Sequence, residues 1–272
     1  MFLSFSIHVP FNAQSHTLES NTLKNETLTN NVIKIAAIDW CPQICVNENI
    51  DGYTVELVEH IFKDSGYEIV IDILPWSRAI MYVTDGSYDA LLSPAKKEAP
   101  HLIYPELGVG KQRMCFFVAN DSNWIYKDET SLKGMQFGIA NNTSIEELNN
   151  YINNHPRQFH FQPYHERYVL QNAQKVLRNR IDAFIFTQNT THYELSKTAL
   201  TDQIKNAGCV SEADIYIAFT PIAPKKHKIN QLVSIFNKQM KRLVANGQVS
   251  QIYKAYGIKQ EWEVALSPEH VH

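Results

Sequence analysis

The sequence predicts an α/β protein of two similar lobes that face each other across a cleft. Three observations predict it. Short apolar runs rich in β-branched residues alternate with amphipathic helical stretches, the pattern of a parallel sheet covered by helices. That alternation is laid down twice along the chain, with no sequence repeat of fixed short period. A chain of 272 residues is also long enough for two medium lobes, each with its own buried core.

The elements follow in order. IKIAAI (33–38) is a short apolar run and reads as a buried strand. After the turn NIDG, the stretch YTVELVEHIFKDSGY places Val55, Leu57, Val58, Ile61 and Phe62 on one helical stripe, with Gly66 as its stop. YEIVIDIL (67–74) alternates Ile69, Ile71 and Ile73 with more polar positions, a second strand. SRAIMYVTDG predicts a helix capped by Ser77 and ended by Gly86, and DALLS (89–93) a third strand. The next part repeats that logic. RMCFFVAN (113–120) and MQFGIA (135–140) are strands, and TSIEELNNYI opens a helix with Ser144 and Glu147 at capping-box spacing. HERYVLQNAQKVLRNR is a helix, IDAFIF (181–186) and DIYIAFTP (214–221) are strands, and INQLVSIFNKQMKRLVANG is a long amphipathic helix that stops at Gly247. VSQIYKAYG supplies a short closing helix.

Composition narrows the function classes. Hydrophobic residues make up 44% of the chain, as in a globular protein. A formal net charge of −3 gives no electrostatic case for nucleic acid or an anionic membrane surface. No apolar run reaches the length of about eighteen residues that a membrane-spanning helix needs. The N-terminal MFLSFSIHVPFNAQS is apolar and then turns polar, which resembles the end of a secretory signal without its basic start. It reads either as a truncated signal peptide or as an ordinary disordered N-terminus. HTLESNTLKNETLTNN reads as a polar linker, so order is expected to begin near Val32, and a loose tail follows Trp262. Four cysteines, Cys41, Cys45, Cys115 and Cys209, allow three pairings in an oxidising compartment, or stay as free thiols in a reducing one.

Taken in order, several motifs resemble the bacterial periplasmic solute-binding proteins, family 3, which carry polar amino acids for ABC-type uptake systems. They are a strand ending in Asp39, the aromatic/Pro loop WCPQ, DGYTVELVEHIF, PWSRAI after the second strand, and DGSYDALLS. SLKGMQFGIANNTSIEEL, LRNRIDAFIF and the closing NKQMKRLVANGQVSQIYKAYG continue the match, which spans 33–262. The resemblance implies a two-lobe periplasmic-binding-protein-like fold of type II, with two crossover strands and an interlobe ligand cleft. Lobe 1 would comprise 32–114 and 217–262, and lobe 2 would comprise 115–216. A signal remnant or disordered linker (1–31) and a tail (263–272) would flank them. It also implies periplasmic localisation, a monomer, a small-molecule ligand, a membrane permease or receptor as partner, and no cofactor.

Such a cleft needs a stacking aromatic, a cation for a carboxylate, and hydrogen-bond donors from loops and helix starts. Trp40 and Trp76 each follow a strand directly, at the strand ends where open α/β sheets bind ligands. Tyr53 opens the first helix. Arg78 follows Trp76 by two residues and offers a bidentate fork to an anion. Ser93 ends the third strand, and Thr143 and Ser144 stand at an expected helix start, where an anion is favoured. Arg113 falls on an expected crossing strand, where the alternative is an interlobe ion pair.

The chain departs from the family's pattern twice. The family's arginine for an α-carboxylate is absent from SPAKKEAPHLIYPE, which holds Lys96, Lys97 and His101 instead. Its aspartate for an α-ammonium is replaced by Thr187, followed by Gln188 and Asn189. A ligand other than a standard α-amino acid, or a site that uses Arg78 and Lys96, is the expectation.

Enzyme signals are thin. No phosphate-cradling glycine loop, HExxH or GxSxG occurs. Cys41 and Cys45 lack a second pair at zinc spacing, and C-x-x-x-C differs from the redox C-x-x-C, so neither metal nor catalytic residue is expected. The alternatives are a ligand-presenting sensor component, and a small dehydratase-like enzyme for which Asp39 and Glu56 are the acids near the cleft.

Overall fold

The computed structural model describes residues 31–46, 49–141, 145, 147–165 and 167–258. The expected signal remnant up to residue 30, Thr143, Ser144, Trp262 and the tail at 263–272 lie outside them. Strand β1 (Val32–Ala37) is followed by helix α1 (Tyr53–Phe62), β2 (Glu68–Ile73), α2 (Trp76–Thr84) and β3 (Ala90–Ala95). β4 (Gly110–Ala119) crosses into β5 (Phe137–Ala140), α3 (Asn149–Asn154), β6 (Phe159–Gln162), α4 (Tyr168–Leu177), β7 (Ala183–Thr187) and α5 (Gln188–Ser196). The chain returns along β8 (Ile204–Phe219) and ends in α6 (Lys226–Ala245) and α7 (Gln248–Ala255).

One sheet runs through the molecule in the order β2-β1-β3-β8-β4-β7-β5-β6. β1 and β3 are parallel, as are β5 with β6 and with β7. The crossing strands β4 and β8 are antiparallel to each other and to their outer neighbours. β3 pairs with β8 through Ile215–Phe219, and β7 pairs with β4 through Met114–Phe117. Between these stretches Lys111, Gln112 and Arg113 face Asp214, Ala213 and Glu212. That two-stranded neck separates the lobes.

Period-2 side-chain alternation splits each lobe's core between the two faces of its sheet. In lobe 1, Ile33, Ile35 and Ala37 pack with Leu57 of α1, Phe236 and Met240 of α6, and Tyr253 of α7. Ala36 and Leu91 pack on the other face with Ala79 and Val83 of α2. In lobe 2, Ala183 and Ile185 face Leu148 and Ile152, while Phe184 and Phe186 face Tyr168, Val169 and Ala173 of α4.

Several expectations need correction. α2 starts at Trp76 with Pro75 as its N-cap, so Ser77 lies inside the helix and caps nothing. Proline fixes a backbone angle suited to this entry, which leaves the serine two places too late. α3 starts at Asn149, with Glu147 and Leu148 in a turn before it, so the capping box expected of Ser144 and Glu147 does not open the helix. Asn149 Oδ1 instead accepts from the Ile145 N–H at 3.0 Å. β8 begins at Ile204, well before the strand expected from 214, and β6 and α5 were not anticipated.

The cysteines form two disulfides, Cys41–Cys45 and Cys115–Cys209, and none of the four is free. The first closes the loop after β1. The second ties β4 to β8 beside the neck, with Cys115 fully buried and Cys209 exposed. Disulfides of this kind persist in oxidising compartments.

Candidate functional site

β1 runs parallel to β3, and β5 runs parallel to β6 and β7, and it is at the carboxyl ends of such strands that open α/β sheets take ligands. The lobe 1 wall is the loop from Asp39 to Gly52. Trp40 N–H donates to the Ile44 carbonyl at 2.8 Å, and the Gln43 and Ile44 N–H groups donate back to the Trp40 carbonyl at 2.9 and 3.0 Å. The Cys41–Cys45 disulfide closes this turn from outside. Gln43's carbonyl then accepts from the Thr54 N–H at 3.1 Å and the Thr54 hydroxyl at 2.7 Å, which locks the loop onto the first turn of α1. Gly52 makes that approach possible: its φ is +99°, and a Cβ there would sit 2.4 Å from the Gln43 carbonyl oxygen.

Ser93 joins this network from β3. Its hydroxyl donates to Thr54 Oγ1 at 3.3 Å, and its φ of 68° is a left-handed conformation that a serine adopts only where its surroundings enforce it. Trp40 is nine-tenths buried at the end of β1. Trp76 is half-buried against the core on the α2 face, and Arg78, one helical position beyond Ser77, is exposed. The Arg78 guanidinium makes no hydrogen bond or ion pair with the described residues.

Just past β3, the Lys96 ammonium lies 4.8 Å from the ring centre of Tyr216 and 5.9 Å from that of Tyr104, and the two rings meet edge to face at 5.3 Å. Glu98 turns back to accept the Ala95 N–H at 2.7 Å, and burial pushes its carboxyl up despite that bond. The Tyr104 hydroxyl is pushed up to about 12, by burial first and then by the charge of Glu98.

The lobe 2 wall is the start of α5. Thr187 ends β7 and stands at the N-cap of α5, yet its side chain makes no cap bond. The hydroxyls of Thr187, Thr190 and Thr191, all at least 95% buried, have no partner among the described residues, and neither does Gln43 Oε1 in lobe 1. Buried polar atoms are normally satisfied, and among the described residues Gln162 Nε2, Asn172 Oδ1 and Gln239 Oε1 are likewise without a partner elsewhere in the fold. Tyr164, after β6, stacks on Phe186 at 5.2 Å. Burial raises its hydroxyl pKa, and the charges of Asp39 across the cleft and of Glu194 raise it further.

Two further sequence-predicted residues have surroundings of their own. Tyr53 is fully buried in the lobe 1 core, 4.7 Å from Tyr253 and 6.2 Å from Tyr256 ring to ring. Burial raises its hydroxyl pKa, and only that hydroxyl faces lobe 2, where Asn189 Nδ2 lies 3.5 Å away. Arg113 lies in the neck, its Nε donating to Glu212, which also pairs with Lys111. These half-exposed neck pairs contribute little individually. Sequence reasoning missed Gln43, Thr54, Tyr164, Thr190 and Thr191. The signal for the last two was QNTTHYELS itself, a helix with polar residues on every side directly after a buried strand. Thr143 and Ser144 lie outside the described residues.

Among the described residues no group of three or more His, Cys, Asp or Glu side chains is placed to hold a metal ion, and no helix is long and apolar enough to cross a membrane.

Comparison with known proteins agrees with this geometry. A search of curated protein sequences found no match. Among solved structures, the chain is similar to one from work on glutathione import via GshT and the cystine ABC importer TcyBC of Streptococcus mutans. Identity is 18% over 83% of this chain and 94% of that one, with a TM-score of 0.66. A probable amino-acid ABC transporter extracellular-binding protein from Bacillus subtilis matches at 18% identity over 83% of this chain and 97% of that one, TM-score 0.65. A histidine kinase sensor domain with similarity to periplasmic binding proteins matches at 16% identity over 83% of this chain and 95% of that one, TM-score 0.64. These likenesses establish the two-lobe binding-protein fold. The profile of the bacterial extracellular solute-binding proteins, family 3, matches residues 33–259, and the chain belongs to that family.

Proposed function

We propose that this chain is an extracytoplasmic solute-binding protein that captures a small polar solute, amino-acid-like or a small carboxylate, between its lobes. It delivers that solute to an ABC-type membrane permease. Lobe 1 is 32–114 with 217–262, and lobe 2 is 115–216; the protein works as a monomer in the periplasm and catalyses nothing. The observation that carries this reading is the set of unpartnered polar atoms at the cleft: Gln43 Oε1 on one wall and the Thr187 and Thr190 hydroxyls on the other. Trp40, Trp76, Arg78 and Ser93 complete the lobe 1 side, and Thr187 the lobe 2 side. Two disulfides support an oxidising, extracytoplasmic compartment.

Thermal unfolding of the purified protein against amino acids, small carboxylates, amines and sugars tests the reading. A ligand bound only by the folded state at a hundred times its Kd adds about 2.7 kcal/mol of stability. Trp76→Ala and Arg78→Ala should each abolish the ligand-induced rise and leave the unliganded melt little changed, because both side chains are only partly packed or exposed. An unaltered ligand response in both variants would sink the site assignment. A second reading, a ligand-presenting sensor component, is favoured by the similarity to a histidine kinase sensor domain. It uses the same cleft and differs in whether the closed protein engages a receptor or a permease.

A further inference from the structure

We propose that the cleft selects a small organic acid without an ammonium group, of the hydroxy- or oxo-carboxylate class. The inference rests on the interlobe-binding reading and narrows it. Two cations border the cleft without a carboxylate partner. Lys96 stands over Tyr216 and Tyr104, whose ring faces hold the ammonium in place without neutralising it. Arg78, exposed on the first turn of α2, has no ion pair among the described residues.

Neither cation forms an ion pair with the acids on this side of the molecule, which have contacts of their own among the described residues. Glu98 accepts the Ala95 N–H at 2.7 Å, Asp39 accepts the Val46 N–H at 3.2 Å, and Glu194 pairs with Lys197 at 3.2 Å.

The opposite wall repeats the preference. α5 spans nine residues, and the positive end of its dipole meets the cleft at Thr187. The Thr187 and Thr190 hydroxyls on that first turn are 95% and 99% buried, and each lacks a partner among the described residues. A hydroxyl beside a helix start donates well to a carboxylate, hydroxyl or carbonyl oxygen. An ammonium taken out of water there would face the positive end of the helix, with neutral Thr187, Gln188 and Asn189 in place of a carboxylate. Cations on one side and unclaimed donors on the other therefore fit a molecule with an anionic end and an oxygen-bearing end.

Calorimetric titration of matched pairs at neutral pH tests this: malate against aspartate and 2-oxoglutarate against glutamate, with putrescine and glucose as cationic and neutral controls. In at least one pair the acid without nitrogen should bind at least about tenfold more tightly, the scale of one charge-assisted hydrogen bond. Lys96→Met should weaken that binding by at least about tenfold, and since Lys96 is exposed the variant keeps the fold. Thr187→Asp should shift the preference toward the amino acid. An amino acid bound as tightly as its nitrogen-free partner overturns the inference, as does binding of putrescine or glucose alone. In both cases the solute-binding reading survives. Binding of the acid that is indifferent to Lys96→Met also overturns it. No heat with any member of the panel counts against both.

Discussion

Replacing Cys115 and Cys209 together with alanine is expected to lower the unfolding free energy by about 4–5 kcal/mol, against about 2 kcal/mol for the Cys41/Cys45 pair. The difference follows from loop length. The neck disulfide joins residues 94 positions apart, and the loop disulfide joins residues 4 apart. A crosslink that closes a longer loop removes more conformational freedom from the unfolded chain. Guanidinium unfolding of the oxidised wild type and both alanine pairs measures this, and equal midpoints for the two pairs would contradict it. The neck disulfide also lies beside the two-stranded stretch between the lobes. Lys111 to Arg113 pair with Asp214 to Glu212 between the lobes, and Cys115 lies opposite Cys209 at the lobe 2 end of that stretch.

Asp89→Ala should cost about 3–5 kcal/mol, the scale for breaking a buried ion pair by removing one partner. The Asp89 side chain is 2% exposed and accepts from the Lys225 and Lys228 ammonium groups, each at 2.8 Å, and from the Lys34 N–H at 3.0 Å. It thereby ties β1 and the start of β3 to the beginning of α6 and the turn before it. Truncation takes away the carboxylate to which both ammonium groups donate. The pH dependence follows from the carboxyl's lowered pKa. Burial favours the neutral acid, but the two lysines and the Lys34 N–H outweigh it and hold the group below the ordinary aspartate range. Its stabilisation is therefore complete above the unfolded-state value of about 4 and disappears as pH falls through the lower folded-state value. The stability gap between wild type and Asp89→Ala should stay constant from about pH 8 to about pH 5 and close below about pH 4. A gap unchanged at pH 3 would show that the loss comes from packing and not from the charge.

The parts of the fold that were legible in the sequence are those whose side chains meet a core. IKIAAI, ALLS and AFIF read as strands because β1, β3 and β7 are covered on both faces. The stripe of α1 was visible because Leu57, Val58, Ile61 and Phe62 all pack against one cluster. The first half of β8 was not legible. KNAGCVSEAD carries few apolar residues because much of it bridges the lobes with solvent beside it, and its strand character comes from pairing with β4. The α5 helix was hidden for the opposite reason: its polar threonines are buried without apolar periodicity. Both cases are tertiary context overriding local pattern.

The candidate site was partly legible. Trp40, Trp76, Ser93 and Thr187 could be placed from the strands beside them: Thr187 ends β7, Trp40 follows β1 by three residues, Trp76 opens α2 after β2, and Ser93 lies inside β3, which runs on to Ala95 past the strand end expected at 93. Gln43 and Thr54 could not, because their roles come from a loop folding back on α1 through Gly52. The Cys115–Cys209 pairing was equally out of reach, since the two meet only when β4 and β8 pair.

Small-angle X-ray scattering with a bound solute, alongside calorimetry to confirm occupancy, asks most directly whether the ligand is held between the lobes. Capture between lobes joined by a two-stranded neck should close them by a hinge motion, so the radius of gyration should fall saturably with one-to-one binding. A solute that binds one-to-one and leaves the radius of gyration unchanged would contradict capture in the interlobe cleft.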